Sequence, residues 1–159
     1  MNNLFDLTNK TAIITGGAGL LAAEHAKALS IYGANIILAD ISLEKCEATA
    51  QQLQQQEIKA TAMHCDVTSQ QSWQQLLQNV LQQFGTADIL INNAAYTNQS
   101  KTKNFDASFE NFSLDDWNNI IAVNLTGTFL GCQIIGAQMK KQGKGSIMSI
   151  VSIGGINAL

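Results

Sequence analysis

The sequence predicts an α/β fold, a doubly wound parallel sheet in three layers (α/β/α) with helices on both faces. Three observations lead there. Short apolar runs alternate along the chain with stretches of helical period, the pattern of strands joined by helical crossovers. The first run, Thr11–Ile14, enters a glycine-rich turn, Thr15-Gly16-Gly17-Ala18-Gly19, that opens a helix. A composition of 46% apolar and 13% charged residues over 159 positions suits one globular core, a single domain spanning 1–159.

The elements follow in order. Residues 11–15 read as the first strand and 19–32 as the first helix, ended by Gly33, with 35–40 as the second strand. Ser42 is placed to cap a helix over 43–56, with Glu44 and Glu47 in its early turns. Ile58 to Met63 form a third strand, and Thr68 stands as cap to a helix over 69–83 that stops near Gly85. Asp88 to Ile91 are a short buried strand. Ser113 caps a long helix reaching Gln142, with Asp115 and Asp116 in its first turn and Lys140 and Lys141 in its last. Gly143 and Gly145 end it, and Ser146 to Val151 form a fifth strand. The glutamines of 51–56 and 70–83 are solvated helix faces, because Leu53, Trp73, Leu76, Leu77, Val80 and Leu81 keep a helical spacing. Ala95 to Phe112 has no clear period and leaves the carboxyl end of the fourth strand, where ligands bind in open α/β sheets. It reads as a substrate or subunit-contact loop anchored by burial of Phe105, Phe109 and Phe112, or as a plain insertion.

Charge and composition exclude several classes. The net charge of -3 gives no basic surface for nucleic acid. No apolar run is expected to approach the roughly 20 residues that span a bilayer, and Met1-Asn2-Asn3 leads into no basic and apolar stretch of a secretory leader. Cys46, Cys65 and Cys132 are odd in number and in no metal-ligand spacing, so they read as reduced thiols of a cytoplasmic protein without a metal site. His25 and His64 read as a helix-face and a strand-end histidine without catalytic duty. Every basic residue is Lys, which argues against bidentate recognition of an extra phosphate.

The glycine turn carries the functional signal. Gly16 can take the tight turn that closes a strand onto a helix, Gly19 leaves room for a pyrophosphate, and Ala22 lets the helix pack close to the sheet. The helix N-terminus offers unpaired N–H groups to phosphates. Asp40 follows Gly19 by 21 residues and ends the second strand, the spacing at which an acid accepts hydrogen bonds from the adenosine ribose hydroxyls. Together these give a Rossmann-like dinucleotide-binding domain that takes NAD, with NADP disfavoured because Asp40 repels a 2′-phosphate and no Arg neutralises it.

Several further segments resemble the short-chain dehydrogenase/reductase family, and the likeness covers essentially all 159 residues. Thr15-Gly16-Gly17-Ala18-Gly19 resembles its cofactor turn, although Leu20 and Ala22 stand where compact members carry glycine; Gly16, Gly19 and Ala22 fit the three-residue spacing instead. Cys65-Asp66-Val67-Thr68 resembles the segment whose aspartate bonds the adenine amino group, while Asp66 is also placed to cap the turn before Thr68. Asn92-Asn93-Ala94-Ala95 resembles the motif that stabilises the central sheet beside the cofactor. Val123-Asn124-Leu125-Thr126-Gly127 resembles the segment with the family's structural and proton-relay asparagine. Ser149-Ile150-Val151-Ser152 resembles the strand whose terminal serine contacts substrate; Ser152 is otherwise a plain strand-end serine. The resemblance therefore implies Asn124 and Ser152 as catalytic residues. It implies Gly16, Gly17, Gly19, Leu20, Leu21, Asp40, Ile41, Asp66, Val67, Asn93, Ala94 and Ala95 as cofactor contacts. Gly16 to Leu21 and the long segment after Ala95 look most similar to a branch tied to flagellin modification and surface-sugar synthesis.

One departure is large. The family's Tyr-x-x-x-Lys follows the serine by about a dozen residues, whereas Leu159 lies seven residues after Ser152, and neither Tyr32 nor Tyr96 sits in such a pattern. The resemblance thus implies a fold lacking the family's last strands and helices. It also implies an NAD-dependent oxidoreductase of a hydroxyl/carbonyl pair that is inactive as these 159 residues. Its substrate is expected to be a small alcohol or carbonyl compound, including sugar derivatives, and its full-length form a homo-oligomer. A non-catalytic dinucleotide-binding or interaction module is the alternative. A methyltransferase, which shares the glycine turn and the acid, is opposed by Asp66 and Asn92–Ala95.

Overall fold

The structure is a computed structural model that describes residues 5–97 and 107–152. Five strands, β1 (Thr11–Thr15), β2 (Asn35–Asp40), β3 (Ala60–His64), β4 (Ile89–Asn92) and β5 (Ser146–Ser149), form one parallel sheet in the order β3-β2-β1-β4-β5. The strands fall where the apolar runs predicted them, with ends shifted by one or two residues. Central β1 pairs with β2 (Ile13 opposite Ile37) and β4 (Ile13 opposite Leu90), and β5 adds to β4 with Ile91 opposite Met148.

Pleating sends alternate residues of β1 to opposite faces. Ile13 joins Ile37, Leu90, Trp73, Leu76, Val80, Ile135 and Met139 on one face. Ala12 and Ile14 join Ala22, Ala26, Ile36, Leu38 and Leu53 on the other. The first layer is covered by α3 (Gln70–Phe84) and α5 (Thr128–Gln142), the second by α1 (Leu20–Ser30) and α2 (Leu43–Gln54). Trp73 is fully buried, and its indole N–H, which would be costly unpaired, donates to the Val67 carbonyl at 2.9 Å. β5 is exposed along its length, with Ile147 and Met148 open to solvent, as are Ile150 and Val151 just beyond it.

Helix ends follow local chemistry. The chain leaves α1 and α5 through Gly33 and Gly143 at positive φ, each with the paired backbone bonds of a Schellman motif. At α2 the same position is Glu57, at φ 65°, with Glu57 N–H on the Gln54 carbonyl (3.0 Å) and Ile58 N–H on that of Leu53 (3.1 Å). Two expected caps differ. Ser42 precedes α2 but its hydroxyl makes no capping bond. The cap of α3 is Ser69, which accepts from Ser72 N–H at 3.2 Å, because Thr68 turns its hydroxyl to Asp66 Oδ1 at 2.7 Å.

The long helix is continuous from α4 (Leu114–Ile120) through a π-helical stretch, Ile121–Gly127, into α5. Its 29 residues include an 18-residue window of mean hydropathy 1.6, long and apolar enough to cross a membrane by length and composition. That is more than uninterrupted apolar runs suggested. One face, with Leu130, Ile135 and Met139, is packed into the core. Phe109 is 94% exposed rather than an anchor, since it lies in a short 3₁₀ turn, Phe109–Asn111, off the sheet; Phe112 is half-buried, and Phe105 is outside the described residues.

Candidate functional site

The carboxyl ends of β1 to β4 converge on one rim. There Gly16 turns at φ 66°, and a Cβ on it would stand 2.9 Å from Ala94 Cα. Gly17 is pressed against β2, where a Cβ would meet Cys46 Sγ and Leu38 Cβ at 2.8 Å, and its N–H donates to the Ala39 carbonyl at 3.0 Å. Close helix–strand packing thus rests on Gly17 as well as on buried Ala22. Gly19 ends the turn as N-cap of α1 and has no side chain to cap the first N–H groups of the helix, whose opening residues Leu20 and Leu21 are exposed.

Asn93 stitches β4 to this turn. Its Nδ2 donates to the Thr15 carbonyl at 2.8 Å, and the N–H groups of Asn93 and Ala94 both donate to Thr15 Oγ1 at 3.0 Å. Thr15, the first residue of the glycine turn, is the hub of the junction.

Two carboxylates face the same space. Asp40 accepts from Ala18 N–H on Oδ2 (3.0 Å) and from Ser42 N–H on Oδ1 (2.9 Å). Asp66 Oδ1 is held by Thr68 N–H at 2.9 Å and by the Thr68 hydroxyl, so the turn-capping reading of Asp66 is realised on one oxygen. Its Oδ2 and the Val67 N–H have no partner among the described residues. An open cavity of about 460 Å³ joins these groups, lined by Gly16, Asp40, Ile41, Asp66, Val67, Ala94 and Ala95 from the expected set. Cys65, Thr68, Tyr96, Asn119 and Val123 complete the lining. Gly17, Gly19, Leu20, Leu21 and Asn93 surround the turn without lining this cavity.

Asn124 sits in the π-helical stretch, a distortion frequent at functional positions. Its Oδ1 accepts from Tyr96 N–H at 2.7 Å and its Nδ2 donates to the Tyr96 carbonyl at 3.2 Å. The C-terminal end of the long helix is tied in the same way: Gln142 accepts from Ala87 N–H at 3.2 Å and donates to its carbonyl at 3.1 Å. The helix therefore straps both flanks of β4. Ser152 is exposed beyond the end of β5 and lines no part of the cavity. Ser149, itself exposed at the end of β5, accepts from Asn92 Nδ2 at 3.4 Å.

Two of the thiols, Cys46 and Cys65, are buried. Burial, then the nearby Asp40 charge, pushes Cys46 up to about 12. Burial likewise raises Cys65 to about 12, against a Ser72 hydrogen bond that lowers it. Both stay protonated near neutral pH and make poor nucleophiles. No cluster of metal-ligating side chains occurs among the described residues.

Residues 10–159 match the family described as short chain dehydrogenase. The chain belongs to the short-chain dehydrogenase/reductase family. It is 35% identical over 150 residues to the 3-alpha-(or 20-beta)-hydroxysteroid dehydrogenase of Mycobacterium tuberculosis, covering 94% of this chain and 54% of the relative. To the D-threitol dehydrogenase of Mycolicibacterium smegmatis it is 36% identical over 148 residues, covering 93% and 54%. Among solved structures, an NAD+-bound xylitol dehydrogenase superposes with a TM-score of 0.83 at 26% identity, covering 99% of this chain and 57% of that one. The short-chain dehydrogenase chain described here thus spans little more than half the length of these relatives.

The cradle fits the cofactor this family binds. The Asp66 Oδ2 acceptor beside the Val67 N–H donor is complementary to one edge of adenine. Asp40 brings carboxylate acceptors to the same cavity, and the glycine turn ends at the N-terminus of α1. Asn119 and Tyr96 were not legible as lining residues, since only the long helix and its Asn124 clamp bring them to the cavity.

Proposed function

We propose that residues 1–159 form the NAD-binding part of an oxidoreductase that interconverts a hydroxyl and a carbonyl on a small molecule. The observation that carries this reading is the convergence of the glycine turn, Asp40 and the half-free Asp66 on one cavity. The bound dinucleotide supplies the hydride acceptor or donor. The chain's own residues position it: Asp40 and Asp66 fix the adenosine, Asn93 and Thr15 hold the turn, and Asn124 holds the peptide of Tyr96 beside it. The named substrates of the relatives, a hydroxysteroid and threitol, support a small alcohol or carbonyl substrate, sugar derivatives included.

Ser152 and Asn124 are the proposed catalytic residues. Proton transfer near neutral pH needs a tyrosine with its pKa lowered by a neighbouring cation, and neither Tyr32 nor Tyr96 is followed by Lys four positions on. A non-catalytic dinucleotide-binding module is the second reading, and that missing pair favours it for these residues alone. Titration calorimetry with NAD+ and NADH tests the first step. Saturable binding that Asp66→Ala weakens is expected, and absence of binding overturns the reading. An assay of NADH formation or consumption over a panel of alcohols, ketones and sugars should show binding without turnover.

A further inference from the structure

β3 is an edge of the sheet, on the side away from β5. In its pairing with β2 the odd-numbered residues turn their peptide groups inward: Ile36 N–H donates to the Lys59 carbonyl at 3.3 Å, and Cys65 N–H to that of Asp40 at 2.9 Å. The peptide groups of Ala60, Ala62 and His64 therefore face outward. Gln54 Nε2 seals the Ala60 carbonyl at 2.8 Å, while the outward N–H and C=O groups of Ala62 and His64 have no partner among the described residues. These two residues floor an open groove of about 760 Å³, walled by Leu43 and Glu47 of α2 and by Gln75, Asn79, Gln82 and Gln83 of α3. The usual guards against edge pairing are missing, since Ala60–His64 contains no Lys, no proline and no break in register.

We propose that a second copy of this chain pairs with β3 edge to edge, antiparallel, about a two-fold axis at Met63. The register follows from which groups are open. A two-fold at Met63 sets Ala62 opposite His64 of the second copy and His64 opposite its Ala62, and directly opposed residues of this kind exchange both hydrogen bonds. The ladder stops at Ala60, whose carbonyl Gln54 already holds. Side chains agree with this register. Ala60 and Ala62 lie on the α2 face of the sheet, so His64, two residues on, points to that face as well and meets only the small Ala62 across the axis. The contact is isologous, with α2 beside α2 and α3 beside α3. The α3 wall is uncharged, and its amides carry donors and acceptors alike, so it is complementary to its own copy. Glu47 is the one carboxylate lining the groove, and it meets its like on the other face, which keeps the pair weak. A separate peptide would draw specificity from pockets for alternate side chains, whereas these walls are repeated amides. The groove shares no lining residue with the cofactor cavity, so the proposal is independent of the dinucleotide reading.

Sedimentation velocity and hydrogen exchange on the whole chain test it. Met148→Lys removes association through β5 and leaves the β3 pair, so this variant should show a concentration-dependent equilibrium between monomer and dimer. Its Ala62 and His64 amides should exchange about tenfold more slowly in the dimer than after dilution to monomer. The Thr61 and Met63 amides, bonded to β2, should be protected at both concentrations. Adding Ala62→Pro removes an outward donor, and proline is tolerated on an edge where its N–H would face solvent. That change should raise the dimer dissociation constant about tenfold or more, whereas Glu47→Gln should lower it about two- to threefold. Absence of a dimer at every concentration overturns the proposal. So does a dimer in which the Ala62 and His64 amides stay open, since another face would then hold it. A persistent monomer whose two amides are protected by the synthetic peptide Thr-Lys-Thr-Lys-Thr would assign the groove to an extended peptide and overturn it equally. The comparison of exchange at high and low concentration decides the matter even if Ala62→Pro fails to fold.

Discussion

The Asn124 side-chain amide grips the Tyr96 peptide at both ends, accepting its N–H at 2.7 Å and donating to its carbonyl at 3.2 Å. An amide suits this task because it carries one donor and one acceptor in a plane, matching a peptide edge. Asn124→Asp keeps the acceptor but sets a carboxylate against the Tyr96 carbonyl, and Asn124→Ala loses both bonds. Each change should cost about 1–2 kcal/mol of stability, read by urea unfolding, and each should weaken NADH binding because Tyr96 lines the cavity. Unchanged NADH affinity in both variants would show that the clamp does not shape the pocket.

Gly17→Ala should be disruptive although alanine is the smallest possible addition. The new Cβ would stand 2.8 Å from Cys46 Sγ and Leu38 Cβ and 3.0 Å from Ala39 N. Overpacking of this kind costs about 1–3 kcal/mol. Cys46→Ala in the same chain should recover only part of the loss, since the contacts with Leu38 and the Ala39 backbone remain. Denaturant midpoints of the single and double variants measure the coupling.

Glu57→Gly should stabilise the protein. Glu57 occupies the left-handed position that ends α2, where the other Schellman closures use Gly33 and Gly143. Relief of the Cβ strain is worth about 1 kcal/mol, offset in part by the greater freedom of glycine in the unfolded chain. Both backbone bonds of the motif should persist, so the urea midpoint should rise with an unchanged slope.

Alkaline pH should destabilise the fold through its buried thiols. Cys46 and Cys65 are held protonated to about 12, whereas in the unfolded chain they ionise near their ordinary value. Above that value the folded state binds more protons than the unfolded one, so stability falls as pH rises, by at most about 1.4 kcal/mol per pH unit for each thiol. The contribution is fully present below the unfolded value and lost as pH rises through the folded one. Unfolding curves between about pH 8 and 11 should show this slope, and Cys46→Ala with Cys65→Ala should reduce it.

The free edge of β5 should drive self-association. Ile147 and Met148 on the strand and Ile150 and Val151 just past it are exposed in an uncharged, proline-free segment, and Leu125 and Phe129 are exposed on the neighbouring long helix. Light scattering should rise with concentration, and Met148→Lys should suppress it. A monomer at all concentrations would show that the edge is protected by other means.

Sequence patterns carried the sheet and most of the rim. The apolar runs of β1 to β5, the Gly16 turn and the acid ending β2 are local features, each set by a few neighbouring residues. What escaped them is set by distant partners. The π-helical stretch is invisible to periodicity, and its one hint was Asn124, an unfavourable residue in mid-helix. Thr15 opens the glycine turn, but nothing local shows that its hydroxyl serves peptide groups 78 and 79 positions away. Ser69 displaced Thr68 as a cap because Asp66 competes for the Thr68 hydroxyl. Of the two readings open for Phe109, an anchor or part of a plain insertion, its exposure fits the second, because aromatic character reveals nothing of whether a loop residue meets the core.

Because β1 lies between β2 and β4, the rim is divided between parts of the chain made at very different times. β1, α1, β2, α2 and β3 pair with near neighbours and can assemble early. The bond from Asn93 N–H to Thr15 must wait for a loop of 78 residues to close, at an entropic cost of about 4 kcal/mol. The Asn124 grip on Tyr96 comes later still in synthesis. A nascent chain tethered to the ribosome should therefore acquire affinity for an adenine nucleotide abruptly, once Asn124 has emerged, making ligand capture a clock for the completion of folding.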